Sequence, residues 1–218
     1  MKVQVPTSLK DIKLSQYQKF IRTTKDSEDE NFVAKQMVGI FCNLTDKEVN
    51  NIQANSFDGL VDSITKVLLL EPKFVPTFKL DGVEYGFIPN LDEITVGEKA
   101  DLDTHYQELD KMAYAMAILY RPIEIKKGGK YLIKGYEGTE KPLDVSLDIV
   151  FGANVFFLNL MSDLLNYTQK CIEVEVERNP KALQILAQSG DGITAFTNSL
   201  KEIFGDLKKL LNLNYLSA

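Results

Sequence analysis

Near residue 74 the spacing of apolar side chains changes, and the change turns on the dipeptide Asp81-Gly82. Phe78 and Leu80 alternate with polar residues before it, and Val83, Tyr85 and Phe87 alternate after it. A two-residue type I′ turn needs positive φ at both central positions, which Asp and Gly tolerate better than other pairs, so the segment predicts a β-hairpin. A second hairpin is expected where Ile123–Ile125 and Tyr131–Ile133 flank Lys126-Lys127-Gly128-Gly129-Lys130. Most other apolar spacing is helical. The expectation is therefore an α+β chain, mainly α-helical: a helical bundle carrying one or two small β-hairpins.

Helix starts are the next clearest signals. Thr45-Asp46-Lys47-Glu48 and Thr95-Val96-Gly97-Glu98 both have the capping-box form, in which the Thr hydroxyl accepts from the third helical amide and the Glu reaches back. Ser15 and Ser56 are read as further N-caps. Met112, Ala113, Met116, Ile118, Leu119 and Tyr120 form an apolar helix stopped by Pro122, which makes Arg121 a helix-terminal residue. Pro142 is placed near the start of a long helix from Leu143 to about Cys171, kinked or broken near Gly152. The expected organisation is a main helical domain over 1–178, with hairpin insertions around 74–88 and 122–135, and a helical appendage over 179–218.

Charge and composition remove several classes of function. A net charge of −6 gives no general counterion-release attraction to nucleic acid, so no direct nucleic-acid partner is expected. The longest apolar run, around Ile149–Leu160, is interrupted by Gly152, Asn154 and Asn159, and no membrane span is expected. Cys42 and Cys171 form no CxxC or Cys/His cluster and read as small buried hydrophobes in a reducing cytoplasm. The first residues, MKVQVPTSLKDIKL, lack an apolar signal core.

No catalytic, cofactor or metal constellation is legible. His105 is the single histidine, so neither a His-based metal site nor a Ser-His-Asp triad has the residues it needs around it. Gly128-Gly129-Lys130 lacks the spacing and following Ser/Thr of a phosphate loop. The acids Asp92, Glu93, Glu98, Asp101 and Asp103 lack the order of a Ca²⁺ loop and read as helix-start acids. Arg121 admits two readings: a buried anchor forked onto Glu98 or Asp101, or an exposed cation at a helix end. Phe74, Phe78, Tyr85 and Phe87 cover one hairpin face, either as core or as a sticky edge suited to strand addition.

The run Tyr85-Gly86-Phe87-Ile88-Pro89-Asn90-Leu91, then Ile94-Thr95-Val96-Gly97-Glu98, Asp101-Leu102-Asp103 and Ala117-Ile118-Leu119-Tyr120-Arg121-Pro122, resembles tailed-bacteriophage proteins. The resemblance is to structural gene clusters of crAss-like and marine phages, and the layout is similar to tail assembly chaperones. It covers roughly residues 1–170, and Pro142-Leu143-Asp144-Val145 followed by Phe156-Phe157-Leu158 fits it. The resemblance implies a non-enzymatic virion-assembly protein in the host cytoplasm that binds phage structural proteins. Homo-oligomer formation is compatible with it. The residues it marks as structural or partner contacts are Tyr85, Phe87, Glu98, Asp101 and Arg121. The alternatives are a virion component such as a connector, ring or packaged cargo protein, and, more remotely, a hydrolase with dispersed carboxylates.

Overall fold

Seven α-helices and one four-stranded antiparallel sheet make up the described residues of this computed structural model. The described residues are 3–106, 108–138 and 141–178; side chains after residue 160 are described only at 162, 163 and 167. The helical pieces expected after Asn179 lie outside them. The chain divides into two units, Met1–Gly152 and Ala153–Ala218.

Four helices precede the sheet: α1 (Leu14–Thr24), α2 (Glu30–Phe41), α3 (Asp46–Asn50) and α4 (Ala54–Leu68). On α1 the buried residues Leu14, Tyr17, Phe20 and Thr24 recur at helical spacing and form one apolar stripe. Phe20 meets Phe41 of α2 at 5.2 Å between ring centres. Asp29 caps α2 by accepting from the Asn31 and Phe32 amides at 2.9 and 3.2 Å. Thr45 and Glu48 form the capping box read in the sequence. The two serine caps are not made. Helix α4 begins at Ala54, two residues before Ser56. At α1 the Gln16 side chain accepts from the Lys13 amide at 2.9 Å, while Ser15 turns its amide and hydroxyl to Asp144, each at 2.8 Å. A polar partner 129 residues away outcompetes the local cap.

The sheet order is β1 (Thr77–Leu80), β2 (Val83–Phe87), β3 (Tyr120–Lys127) and β4 (Lys130–Ile133), each antiparallel to the next. Both hairpins turn through two residues with positive φ: Asp81 at 49° and Gly82 at 82°, then Gly128 at 58° and Gly129 at 78°. The two hairpins share one sheet. Strand β2 pairs with β3 through Tyr85↔Pro122, Gly86↔Arg121 and Phe87↔Tyr120, which merges the two hairpins into one sheet.

Between β2 and β3 lie α5 (Val96–His105), started by the Thr95/Glu98 box, and α6 (Met112–Leu119). Helix α6 ends at Leu119 and the chain enters β3 at once, so Tyr120–Pro122 are strand and Arg121 is not helix-terminal. Pro122 breaks the helix yet is tolerated in the strand. Its carbonyl accepts from the Lys134 amide at 2.8 Å, and the ladder is irregular just beyond it, between Ile123 and Ile125.

The long helix α7 (Leu147–Arg178) begins five residues after Pro142 and continues through Gly152 without a break. A Cβ at Gly152 would stand 2.3 Å from the Lys73 carbonyl oxygen, so this glycine permits a close backbone approach. The segment before α7 is laced to the N-terminal residues: Leu14 N–H donates to Val145 O at 2.8 Å and Leu147 N–H to Ile12 O at 2.9 Å.

Candidate functional site: a half-open sheet face

Residues on a strand alternate between faces, and directly opposed residues share a face. Register therefore sorts the sheet into two surfaces. One carries Phe78, Leu80, Val83, Tyr85, Phe87, Tyr120 and Pro122. The other carries Arg121 and the Tyr131 ring packed over Gly86, where a Cβ would meet that ring at 2.5 Å and Ile123 at 3.0 Å.

The second face is a locked polar network. Arg121 is 7% exposed and Glu98 3%, and Arg121 Nη2 stands 2.6 Å from Glu98 Oε1. The other carboxylate oxygen of Glu98 accepts from the Thr95 amide at 2.7 Å and the Thr95 hydroxyl at 2.6 Å. Burial pushes the Glu98 carboxyl up. The Thr95 hydrogen bonds and the Arg121 cation outweigh it and hold the group below its ordinary range. Tyr136 donates its hydroxyl to Asp101, and its ring centre lies 5.9 Å from the Arg121 guanidinium carbon. Glu98, Asp101 and Arg121 thus meet around Tyr136, tying α5 to β3 and to the chain after β4. The Arg121 Nε is buried without a hydrogen-bond partner.

Tyr85 and Phe87 go to the other face, in an aromatic cluster. Phe87 meets Phe74 at 5.0 Å and Tyr120 at 5.2 Å, and Tyr120 meets Phe78 at 5.1 Å. Phe78 stacks on Tyr85 at 5.5 Å with 9° between the rings. Tyr120 donates its hydroxyl to Val75 O at 2.9 Å, and burial pushes its phenol up. Phe87 and Tyr120 are core, while Tyr85 is half-buried.

Above Tyr85, Tyr120 and Pro122 opens a groove of about 540 Å³, walled by Leu143 and rimmed by Lys13, Lys134 and Lys141. Its wall is fixed, because Leu143 N–H donates to Ala113 O at 2.8 Å and Asp144 holds Ser15. Beyond the groove the same face runs into open solvent. Ile125 lies opposite Leu132, and the two are 60% and 55% exposed; Val83 is 42% exposed.

No family model, curated protein or solved structure matches this chain.

The remaining sequence candidates fall elsewhere. His105 ends α5, half-buried, its ring stacked 5.3 Å from Tyr114 instead of facing water, and its Nδ1 has no hydrogen-bond partner. Gly128-Gly129-Lys130 is a hairpin turn. Among the described residues no group of three or more His, Cys, Asp or Glu side chains is placed to hold a metal ion, and no helix is long and apolar enough to cross a membrane. Cys42 is buried at the end of α2, which pushes its thiol up. Sequence reasoning missed Tyr120, Tyr131 and Tyr136. The period-2 pattern at Tyr131–Ile133 was the signal for Tyr131; Tyr136 sits in irregular chain and gave none.

Proposed function

We propose that this chain is a non-enzymatic virion-assembly protein, similar to tail assembly chaperones, that holds another phage structural protein on its half-open sheet face in the host cytoplasm. One observation supports the reading: the opposed, water-facing pair Ile125 and Leu132, on the same sheet face as the groove over Tyr85 and Pro122. Leu132 lies on the edge strand β4 and Ile125 opposite it on β3; exposed apolar side chains at a sheet edge invite strand addition and aggregation, and sheets ordinarily place charges there instead. Their presence beside a fixed groove supports a surface kept for a partner. Two ionisable groups lining the groove serve the fold: Asp144 receives Ser15 and Lys134 pairs with Glu137 at 2.9 Å. This favours binding over bond-making.

The test is co-expression of the full chain with individual tail and capsid proteins of the same phage, followed by affinity capture and by mass spectrometry of purified particles. Capture of one tail or capsid protein, with the chain depleted from finished particles, is the expected result. Stoichiometric recovery in particles would replace the assembly-factor reading with that of a virion component. Capture of no structural protein would overturn the reading.

A further inference from the structure

We infer that the β3–β4 end of the aromatic sheet face takes an acidic, extended polypeptide segment, added along β4, that carries an apolar residue two positions from a carboxylate. The inference rests on the protein-binding reading above and names the chemistry of the partner.

Strand β4 closes the sheet order, and no further strand pairs with it among the described residues. Its last hairpin holds two successive exposed rungs. Lys127 lies opposite Lys130 at the turn, and Ile125 lies opposite Leu132 next to the bulge. Tyr131 covers Gly86 on the polar-network side, so Lys130 and Leu132 point to the groove side, as do their partners Lys127 and Ile125. Like charges directly opposed on a sheet repel. Here no carboxylate among the described residues pairs with either lysine; Lys126, on the other face, takes Glu84 at 2.5 Å. The isolated chain thus holds a repulsive cationic rung beside a wet apolar one.

A single added strand relieves both. A carboxylate opposite Lys130 and an apolar side chain opposite Leu132 fall two residues apart on one face of an extended segment. Charge agrees with this choice. Arg121, Lys126 and Lys134 already have carboxylate partners in Glu98, Glu84 and Glu137, so Lys127 and Lys130 are the cations of this hairpin with no ion pair among the described residues, in a chain of net charge −6. An acidic segment is disfavoured by the net charge of the chain and drawn to this cationic rung. Single-stranded nucleic acid fits less well, since it binds through exposed aromatic platforms. The aromatic ring of this hairpin, Tyr131, is turned to the opposite face with its hydroxyl donated to Phe87 O at 2.9 Å.

The experiment measures fluorescence anisotropy of the full chain with three labelled probes. They are a short peptide alternating Glu and Val with spacer residues, its Lys-for-Glu counterpart, and a single-stranded oligonucleotide of equal length. The acidic peptide should bind and weaken with added salt. Lys127→Glu with Lys130→Glu should weaken it about tenfold or more, and Leu132→Ser several-fold. Unchanged circular dichroism and melting show that these exposed substitutions leave the fold intact. Equal binding of the acidic and basic peptides, tighter binding of the oligonucleotide, or variants that bind like the wild type would each overturn the inference. The co-expression capture separates the two claims. A structural protein held equally by wild type and by the Lys127→Glu/Lys130→Glu variant leaves the assembly reading standing and removes this docking face.

Discussion

The two ends of the sheet share strands and alternation yet differ in what covers them. At the Tyr120 end, β3 emerges directly from α6; Tyr120 is 1% exposed and Arg121 beside it is held in the Glu98 network. A few residues along the same strand every side chain from Glu124 to Lys127 is exposed. Register decides which face a residue joins; the reach of the flanking helices and of the 142–146 segment decides whether that face is dry. A strand that outruns its cover turns core chemistry into surface chemistry without changing its pattern. The closed end should therefore govern stability and the open end binding, and substitutions can separate the two.

The largest expected loss is at the closed end. Arg121→Met keeps most of the volume but leaves the Glu98 carboxylate buried without its cation, which should cost about 3–5 kcal/mol in urea denaturation. Adding Glu98→Gln, which removes the buried charge while keeping an acceptor for Thr95, should recover much of that loss. If Arg121→Met unfolds like the wild type, the polar network does not hold the closed end.

The same pair sets a pH dependence. The folded Glu98 carboxyl lies below its ordinary range even though burial pushes it up, because the Thr95 bonds and then Arg121 more than offset burial. A depressed folded value gives stability that is complete above the unfolded value of about 4.3 and is lost as pH falls through the folded value. Melting temperature should therefore drop in acid, and Glu98→Gln should drop less. The difference between the two curves isolates Glu98 from Asp11 and Glu48, whose carboxyls also lie low through Thr7 and Thr45 hydrogen bonds. Parallel curves would show that the buried pair contributes no pH dependence.

The capping box and the hairpin turns were legible in the sequence because their signals are local. The Thr95 box and both two-residue turns need only neighbouring residues, and all three form as read. The Glu98–Arg121 contact was one of two readings of an Arg beside a proline, and burial decides between them. The joining of the hairpins was not legible. Pairing Tyr85 with Pro122 depends on a non-local contact across two intervening helices, and Pro122 looks from sequence like a stop. Ser15 and Ser56 failed as caps for the same reason in reverse. A local propensity was read where a distant partner, Asp144, and an earlier helix start won. The open end was half legible: the alternation of Ile125 and Leu132 was visible, but no sequence pattern says which end of a strand lies beyond its cover.

Also at the closed end stands Gly86, opposite Arg121 on the polar-network face of β2. A Cβ there would lie 2.5 Å from the Tyr131 ring, whose hydroxyl is donated to Phe87 O. Gly86→Ala must displace that ring and should cost about 1–3 kcal/mol by overpacking, less than the loss of the ion pair. The double variant Gly86→Ala/Tyr131→Ala should show most of the clash relieved, read as a coupling energy from the four denaturation curves. Additive losses would mean that the ring is not what Gly86 accommodates.

The smallest effect on stability belongs to the open end and sharpens the comparison most. Ile125→Ser with Leu132→Ser removes an apolar rung whose side chains are more than half in water, so little burial is lost on the folded side. Stability should change by no more than about 0.5 kcal/mol, since exposed substitutions away from caps and buried pairs rarely do more. The loss of β-branched Ile125 from a strand pulls the balance slightly down, while removing exposed apolar surface improves solubility. If a structural protein docks here as proposed, the same double variant should lose its capture. A stability loss of several kcal/mol instead would mean that this rung is already covered in the free chain. The two ends of the sheet would then be alike, and the open face would be core.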